Sequence, residues 1–248
     1  MDVMGGEMLR KTTLLIDSTC IFLMLFLFSI SLIELGWIGG TIVAVVYISL
    51  GAGALYESFL LPMANPVAPK MASPFLYDLI TGLWPGHDAE SLTSITEKVG
   101  IRDGMSVLEI GTGTGWFSIG IAQMMNLKID AVDTCEKMLK RARERAMRLK
   151  VGVNFHLETA EDLKFKDSTF DVVCSVYCMN VVRDRDRVLK EMVRVTKPSG
   201  KVAIYVPKPL MSHMLNRENY AEKLSDLGLK DVRADDINLT SLLIYGNK

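Results

Sequence analysis

The sequence predicts an α/β fold: a doubly wound, mostly parallel sheet, preceded by a transmembrane helical hairpin. Three observations lead there. Beyond about residue 100, short apolar runs alternate with amphipathic stretches, a glycine-rich turn joins one such run to the next helix, and two long apolar runs open the chain. The short runs read as strands at Ser106–Ile110, Lys128–Val132, Val153–Leu157, Phe170–Val176, Lys201–Val206 and Leu239–Tyr245. Strands separated by helices pair in parallel, because a parallel pair needs a crossover, and the helices then cover both faces of the sheet.

The chain has 248 residues, a formal net charge of -1 and 49% hydrophobic residues. Near-neutrality argues against nucleic acid as a partner, since domains that bind it are usually strongly basic. The hydrophobic share is concentrated at the start. Thr19 to Ile33 and Trp37 to Tyr56 are almost wholly apolar, and each is close to the roughly 20 residues a helix needs to cross the hydrocarbon core. Arg10 and Lys11 precede the first run, Glu34-Leu35-Gly36 between them carries no base, and Lys70 follows the second. The positive-inside rule then places both ends on the cytoplasmic side of a membrane, with the lipid bilayer as a partner. Gly40 with Ala44, and Ser49 with Gly53, supply a small-residue face on which the two helices can pack. A cleaved secretory signal and one long tilted helix are the alternative readings. Four cysteines, Cys20, Cys135, Cys174 and Cys178, form no Cys-x-x-Cys pair and suggest neither a disulfide framework nor a metal site.

Residues 1–61 therefore read as a membrane anchor, 62–74 as a linker and 75–248 as a catalytic domain. The linker holds Pro62, Pro66, Pro69 and Pro74, which make a stiff, extended segment. Phe75 to Leu83 reads as a short helix. Asp88 to Val99 reads as a firmer one, with Asp88 as N-cap, Leu92, Ile95 and Val99 on one face, and Gly100 as the stop.

The chemistry begins at Val107 to Ala122, where a buried strand runs into Gly111, Thr112, Gly113, Thr114 and Gly115 and a helix starts near Trp116. Glycines at alternate positions accept positive φ and let a ligand lie against the backbone. The first N–H groups of the next helix then face the ligand with the positive end of its dipole. A dinucleotide site would want a small residue where this chain has Trp116, and no Gly-Lys-Ser/Thr follows for a triphosphate. A tight turn without a ligand is the bland alternative.

An acidic residue, Glu109, at the strand end before Gly-x-Gly-x-Gly resembles the first motif of the class I S-adenosylmethionine-dependent methyltransferases. Further motifs are similar to the quinone-biosynthesis-like branch of that family: Ile129-Asp130-Ala131-Val132-Asp133, Thr159-Ala160-Glu161-Asp162-Leu163, Phe170-Asp171-Val172-Val173, and Leu189 to Gly200 with Ser199 in place of a common glycine. The resemblance spans about residues 71 to 248 and leaves the N-terminal part outside it. It implies a seven-stranded Rossmann-like sheet whose last strand is antiparallel, with Leu224, Leu227, Gly228 and Val232 in the closing helix and hairpin, and S-adenosyl-L-methionine as cofactor.

The implied roles are Glu109 near the cofactor's ammonium, the turn N–H groups of Gly111, Thr112, Gly113 and Gly115 around its carboxylate, Asp133 with Thr134 at the ribose, and Thr159, Ala160 and Glu161 beside adenine. Asp133 lies 22 residues after Gly111, and a carboxylate can accept from both hydroxyls of one ribose. Its bland alternative is a solvent-facing cap of the helix that starts near Glu136. Relatives carry aspartate at Thr159, whose neutral hydroxyl is a weaker partner. Methyl transfer is an in-line displacement in which the protein chiefly positions the nucleophile. The loop Tyr177-Cys178-Met179-Asn180 after the fourth strand supplies Tyr177 and Asn180 as candidates for orienting the acceptor. Relatives carry histidine near Asn180, so histidine chemistry does not carry over. His213 and Tyr220 are further candidates for lining the pocket, while His87 and His156 read as structural or exposed, and Cys174 as core. A thiolate role for Cys178 has no supporting cluster.

The helix from Glu136 to Lys150 carries Lys137, Lys140, Arg141, Arg143, Arg145, Arg148 and Lys150. Such a run is usually a solvated face, and beside an anionic bilayer each base can add about 1 kcal/mol of attraction. Tethering and fold together point to a membrane-anchored methyltransferase acting on a hydrophobic or lipid-like small molecule, such as a quinone, an isoprenoid or an amino lipid. A small soluble thiol, amine or phenol, and a cofactor-binding scaffold without activity, are the rival readings. The oligomeric state is not legible in the sequence.

Overall fold

The computed structural model describes residues 74, 77, 78, 81, 87–179, 181–207 and 217–248, all within the unit Ala64–Lys248. The two apolar runs and nearly all of the proline-rich linker lie outside these residues. Among the described residues no helix is long and apolar enough to cross a membrane.

Five helices and seven strands follow one another: α1 (Ala89–Val99), β1 (Ser106–Ile110), α2 (Trp116–Met124), β2 (Lys128–Asp133), α3 (Glu136–Leu149), β3 (Asn154–Leu157), β4 (Phe170–Val176), α4 (Arg185–Val195), β5 (Thr196–Pro207), α5 (Arg217–Asp226), β6 (Lys230–Asp236) and β7 (Ser241–Asn247). Upstream of α1, Pro74, Tyr77, Asp78 and Thr81 are helical. The α1 boundaries follow from local chemistry, as the sequence suggested. The Asp88 carboxylate accepts from Ser91 N–H at 2.7 Å, and Gly100 turns left-handed at φ 73° to receive the last carbonyls.

The strands form one sheet in the order β3-β2-β1-β4-β5-β7-β6. All neighbours are parallel except β7, which runs antiparallel between β5 and β6. Side-chain alternation then builds two cores. On one face Leu108, Ile110, Val173, Val202 and Ile204 meet Val188, Leu189 and Met192 of α4 and Leu224 of α5. On the other, Val107, Ile129, Val172, Ala203 and Leu243 meet Leu92, Ile95 and Val99 of α1 and Phe117 and Ile121 of α2. Each fully buried aliphatic contributes about 1.5–3 kcal/mol.

From β1 the chain winds outward through β2 and β3, and from β4 it winds the other way. Between β1 and β4 lies the switch point, beyond whose carboxyl ends a crevice opens. Two differences from the sequence reading concern the far edge. β6, Lys-Asp-Val-Arg-Ala-Asp-Asp, was not among the candidate strands, because its charges hide the β pattern while protecting an open edge. β5 begins at Thr196 rather than Lys201, since Thr196 already pairs with Phe170 before a register shift.

That irregular start contains Ser199 at φ 62° and Gly200, where an added Cβ would lie 2.9 Å from both the Asp171 and Lys197 carbonyl oxygens. Left-handed backbone costs a non-glycine residue about 1–2 kcal/mol, and forcing atoms into packed backbone costs about 1–3 kcal/mol. Ser199→Gly should therefore raise stability to urea by about 1 kcal/mol, and Gly200→Ala should lower it by about 1–3 kcal/mol. Equal midpoints for the two variants would contradict this reading of the bend.

Candidate active site

β1 ends in the turn Gly111-Thr112-Gly113-Thr114-Gly115, with φ of 72°, 55° and 81° at its three glycines. Only glycine takes this conformation freely. The Gly111 and Thr112 N–H groups donate to the Val132 carbonyl at 2.9 and 3.0 Å, and Gly115 N–H donates to the Thr112 carbonyl. Gly113 N–H donates to Asp133 Oδ2 at 2.8 Å. The turn N–H groups expected around a ligand carboxylate are thus used internally at these four positions. An anion here would meet instead the Trp116 and Phe117 N–H groups at the start of α2, since Gly115 supplies no side-chain cap and the Ser118 N–H is held by Glu109.

Glu109 is 2% exposed and lies beneath the turn. Its Oε2 accepts from Thr112 Oγ1 at 2.7 Å, from Ser118 N–H at 3.1 Å and from Ser118 Oγ. Burial pushes its carboxyl up to about 7, against the pull of these donors, and Asp133 adds to the rise. Asp133, at the end of β2, divides its oxygens. Oδ2 takes the Gly113 N–H and Oδ1 takes the Cys135 N–H at 2.8 Å. It therefore ties the glycine turn to β2 and holds the N–H of Cys135, the residue that precedes α3. Burial raises its pKa, while the Cys135, Gly113 and Thr134 N–H groups hold it back. Thr134 itself is exposed.

At the end of β3 the Thr159 hydroxyl donates to Glu161 Oε2, and Glu161 Oε1 accepts from Arg183 N–H at 3.2 Å. The Glu161 carboxylate thus lies beside the Thr159 hydroxyl, next to buried Ala160.

On the loop after β4, Tyr177 holds φ 55°, a strained setting that clusters at functional sites. Its hydroxyl is bonded to Ser241 Oγ at 2.6 Å, and its ring stacks on His87 at 4.8 Å and meets Tyr205 edge-on. Burial raises the Tyr177 pKa, so it stays protonated. Cys178 packs directly over Gly111, where a Cβ would overlap its Sγ. Burial and the nearby Asp133 and Glu109 charges raise its pKa too, so it is a thiol rather than a thiolate. Asn180 and His213 lie outside the described residues. Tyr220 is buried in the α5 core, Cys174 is core as expected, and His156 is tied to Asp130 at 2.7 Å. No group of three or more potential metal ligands occurs among the described residues.

Three contributors were not picked out from sequence. Tyr77 covers the turn, its hydroxyl 3.4 Å from where a Gly113 Cβ would sit; Ser118 holds Glu109; and His87 stacks under Tyr177. The periodicity of α2 makes Ser118 look like a helix filler, and Tyr77 and His87 reach the site only through tertiary structure.

The cradle thus offers one buried and one half-buried carboxylate, a helix N-terminus and a glycine floor under an aromatic cover. It fits a ligand carrying positive charge beside a carboxylate, attached to a ribose and a flat base. Residues 107–200 match the family described as a methyltransferase domain. A 27-O-demethylrifamycin SV methyltransferase from Amycolatopsis mediterranei is 26% identical over 185 residues, covering 63% of this chain and 68% of that one. A ubiquinone/menaquinone biosynthesis C-methyltransferase from Idiomarina loihiensis is 34% identical over 122 residues, covering 48% of this chain and 49% of its own length. Residues 107–200 are thus a methyltransferase domain, similar to those of S-adenosylmethionine-dependent methyltransferases. The chain's fold matches a SAM-dependent methyltransferase from Aquifex aeolicus with a TM-score of 0.60 at 21% identity, over 71% of this chain and 98% of that one. The chain spans about half the length of the quinone methyltransferases it matches.

Glu109 yields a pH test. Below about 7 it is largely protonated in the empty methyltransferase, whereas a cationic ligand favours the carboxylate. Affinity for S-adenosylmethionine should therefore rise from pH 5.5 to 7.5, a range below the titration of the ligand's own α-amino group. Glu109→Gln should flatten the rise, and a wild-type affinity that falls across this range would contradict the assignment.

Proposed function

We propose that this methyltransferase methylates a hydrophobic or lipid-like small molecule from the cytoplasmic face of a membrane, to which residues 1–61 anchor it. The observation that carries the catalytic part is the pair Glu109 and Asp133 held against the glycine turn at the β1/β4 switch point. Glu109 and Asp133 would hold the cofactor's charged and ribose parts, with Glu161 bordering the base. Bound S-adenosylmethionine supplies an electrophilic methyl group on a sulfonium.

The remaining work is positioning. Tyr177 and Cys178 stay protonated at neutral pH, so neither serves as a base. Held in its left-handed turn, Tyr177 instead fixes the start of the loop after β4, in which Asn180 follows in sequence. An acceptor that needs no strong base, such as an electron-rich ring carbon or an already acidic hydroxyl, suits this loop.

Support for the apolar acceptor comes from the quinone C-methyltransferase likeness and from the two apolar N-terminal runs. Tyr77, three residues beyond the linker, lies over the glycine turn. A soluble acceptor is the second reading, favoured by the likeness to a rifamycin methyltransferase.

The test is transfer from methyl-labelled S-adenosylmethionine by the full chain mixed with membrane extract and, separately, with soluble extract of the source cells, with Asp133→Ala as control. Label should enter the lipid fraction, and the variant should lower its rate by at least about 100-fold. Label in the soluble fraction alone would replace the acceptor class. Binding without transfer to either fraction would leave a cofactor-binding scaffold.

A further inference from the structure

A cavity of about 320 Å³ borders the outer side of the glycine turn, lined by Thr114 and Trp116 of that turn and helix start together with Asp78, Thr81, His87, Arg141, Arg145 and Arg148. The three arginines fall at i, i+4 and i+7 of α3 and so share one face. One end of that face meets the helical residues before α1, while Arg145 is half-buried and Arg148 exposed. Arg141 is neutralised by Asp78 at 3.0 Å. Among the described residues no carboxylate pairs with Arg145 or Arg148. His87 adds no charge, since burial lowers its pKa to about 4, and its Nδ1 is buried without a partner among the described residues. The cavity therefore carries three guanidinium charges against one carboxylate, and an aromatic wall formed by Trp116 and His87 at 4.8 Å from each other.

We propose that this cavity binds a phosphomonoester. A carboxylate would balance only one of the two unpaired guanidinium groups, whereas a phosphomonoester carries about -1.5 to -2 at neutral pH. Planar guanidinium forks match phosphate oxygens in pairs. The aromatic wall and the volume leave room for the group the phosphate is esterified to, the cavity being near the lower limit of about 300 Å³ for small-molecule sites. Two sources share this chemistry: a soluble phosphate ester, and the headgroup of a lipid such as phosphatidic acid. The site goes beyond methyl transfer, because none of Arg141, Arg145 and Arg148 touches the glycine turn or Asp133 in any described hydrogen bond or ion pair.

The test uses the full chain with glycerol 3-phosphate in calorimetry, and with flotation on phosphatidylcholine vesicles containing either phosphatidic acid or phosphatidylglycerol. The variants are Arg145→Gln/Arg148→Gln and Arg145→Lys/Arg148→Lys. Saturable binding of glycerol 3-phosphate, weakened at least tenfold in the glutamine pair and less in the lysine pair, supports the site with a soluble ester. Flotation that favours phosphatidic acid over phosphatidylglycerol, and is lost in the glutamine pair, supports it with a lipid source. S-adenosylmethionine affinity should stay unchanged in both variants, showing that they fold and that the cradle is separate. Equal binding by wild type and the glutamine pair, no preference for the monoester, or no binding of any of these probes, overturns the proposal.

Discussion

Burying the carboxylate of Glu109 at the end of the central strand sets terms for everything around it. An ionised group out of water costs several kcal/mol unless donors surround it. Here the donors come from Thr112 in the turn and from Ser118 in α2, so the same carboxylate fixes the turn and the docking of the helix on β1. Asp133 does the equivalent from β2, reaching Gly113 and Cys135. The two acids also disfavour each other's charge, which is part of why the Glu109 pKa lies near 7. A cradle that holds one buried and one half-buried acid favours a cation, which is what a sulfonium cofactor with an ammonium group provides.

The aromatic cover works on different physics. Tyr177 sits in a left-handed conformation, with its hydroxyl on Ser241 and its ring between His87 and Tyr205. The loop after β4 is thereby pinned to β5, to β7 and to the segment before α1. Tyr77 closes over the turn from the same segment. Arg141 of α3 pairs with Asp78 of that segment as well, which gives the basic helix a local partner besides solvent.

Much of this was legible beforehand, for identifiable reasons. Strands β1 and β4 are buried along most of their length, and in β1, β2 and β4 apolar residues outnumber or match the few polar ones. The glycine turn and Asp133 announce themselves by residue types that the backbone and the ribose site require. Asp88 and Gly100 fix α1 by local chemistry alone. What escaped depends on tertiary neighbours or on edge position. β6 is an edge strand whose charges imitate a loop, and Ser118 becomes a ligand of Glu109 only because β1 lies beneath α2. The turn N–H groups were assigned to a ligand carboxylate, yet Val132, Thr112 and Asp133 already use them at four positions, which no spacing rule conveys. The contact between the Thr159 hydroxyl and the Glu161 carboxylate is likewise invisible in one dimension.

The most direct measurement is calorimetric titration of S-adenosylmethionine into the full chain at pH 6.5, repeated in buffers of different ionisation enthalpy. One cofactor should bind per chain, with net release of up to one proton, because a Glu109 carboxyl that titrates near 7 when empty ionises beside a cation. No binding heat from folded protein, or binding with proton uptake, would contradict the cradle at its foundation.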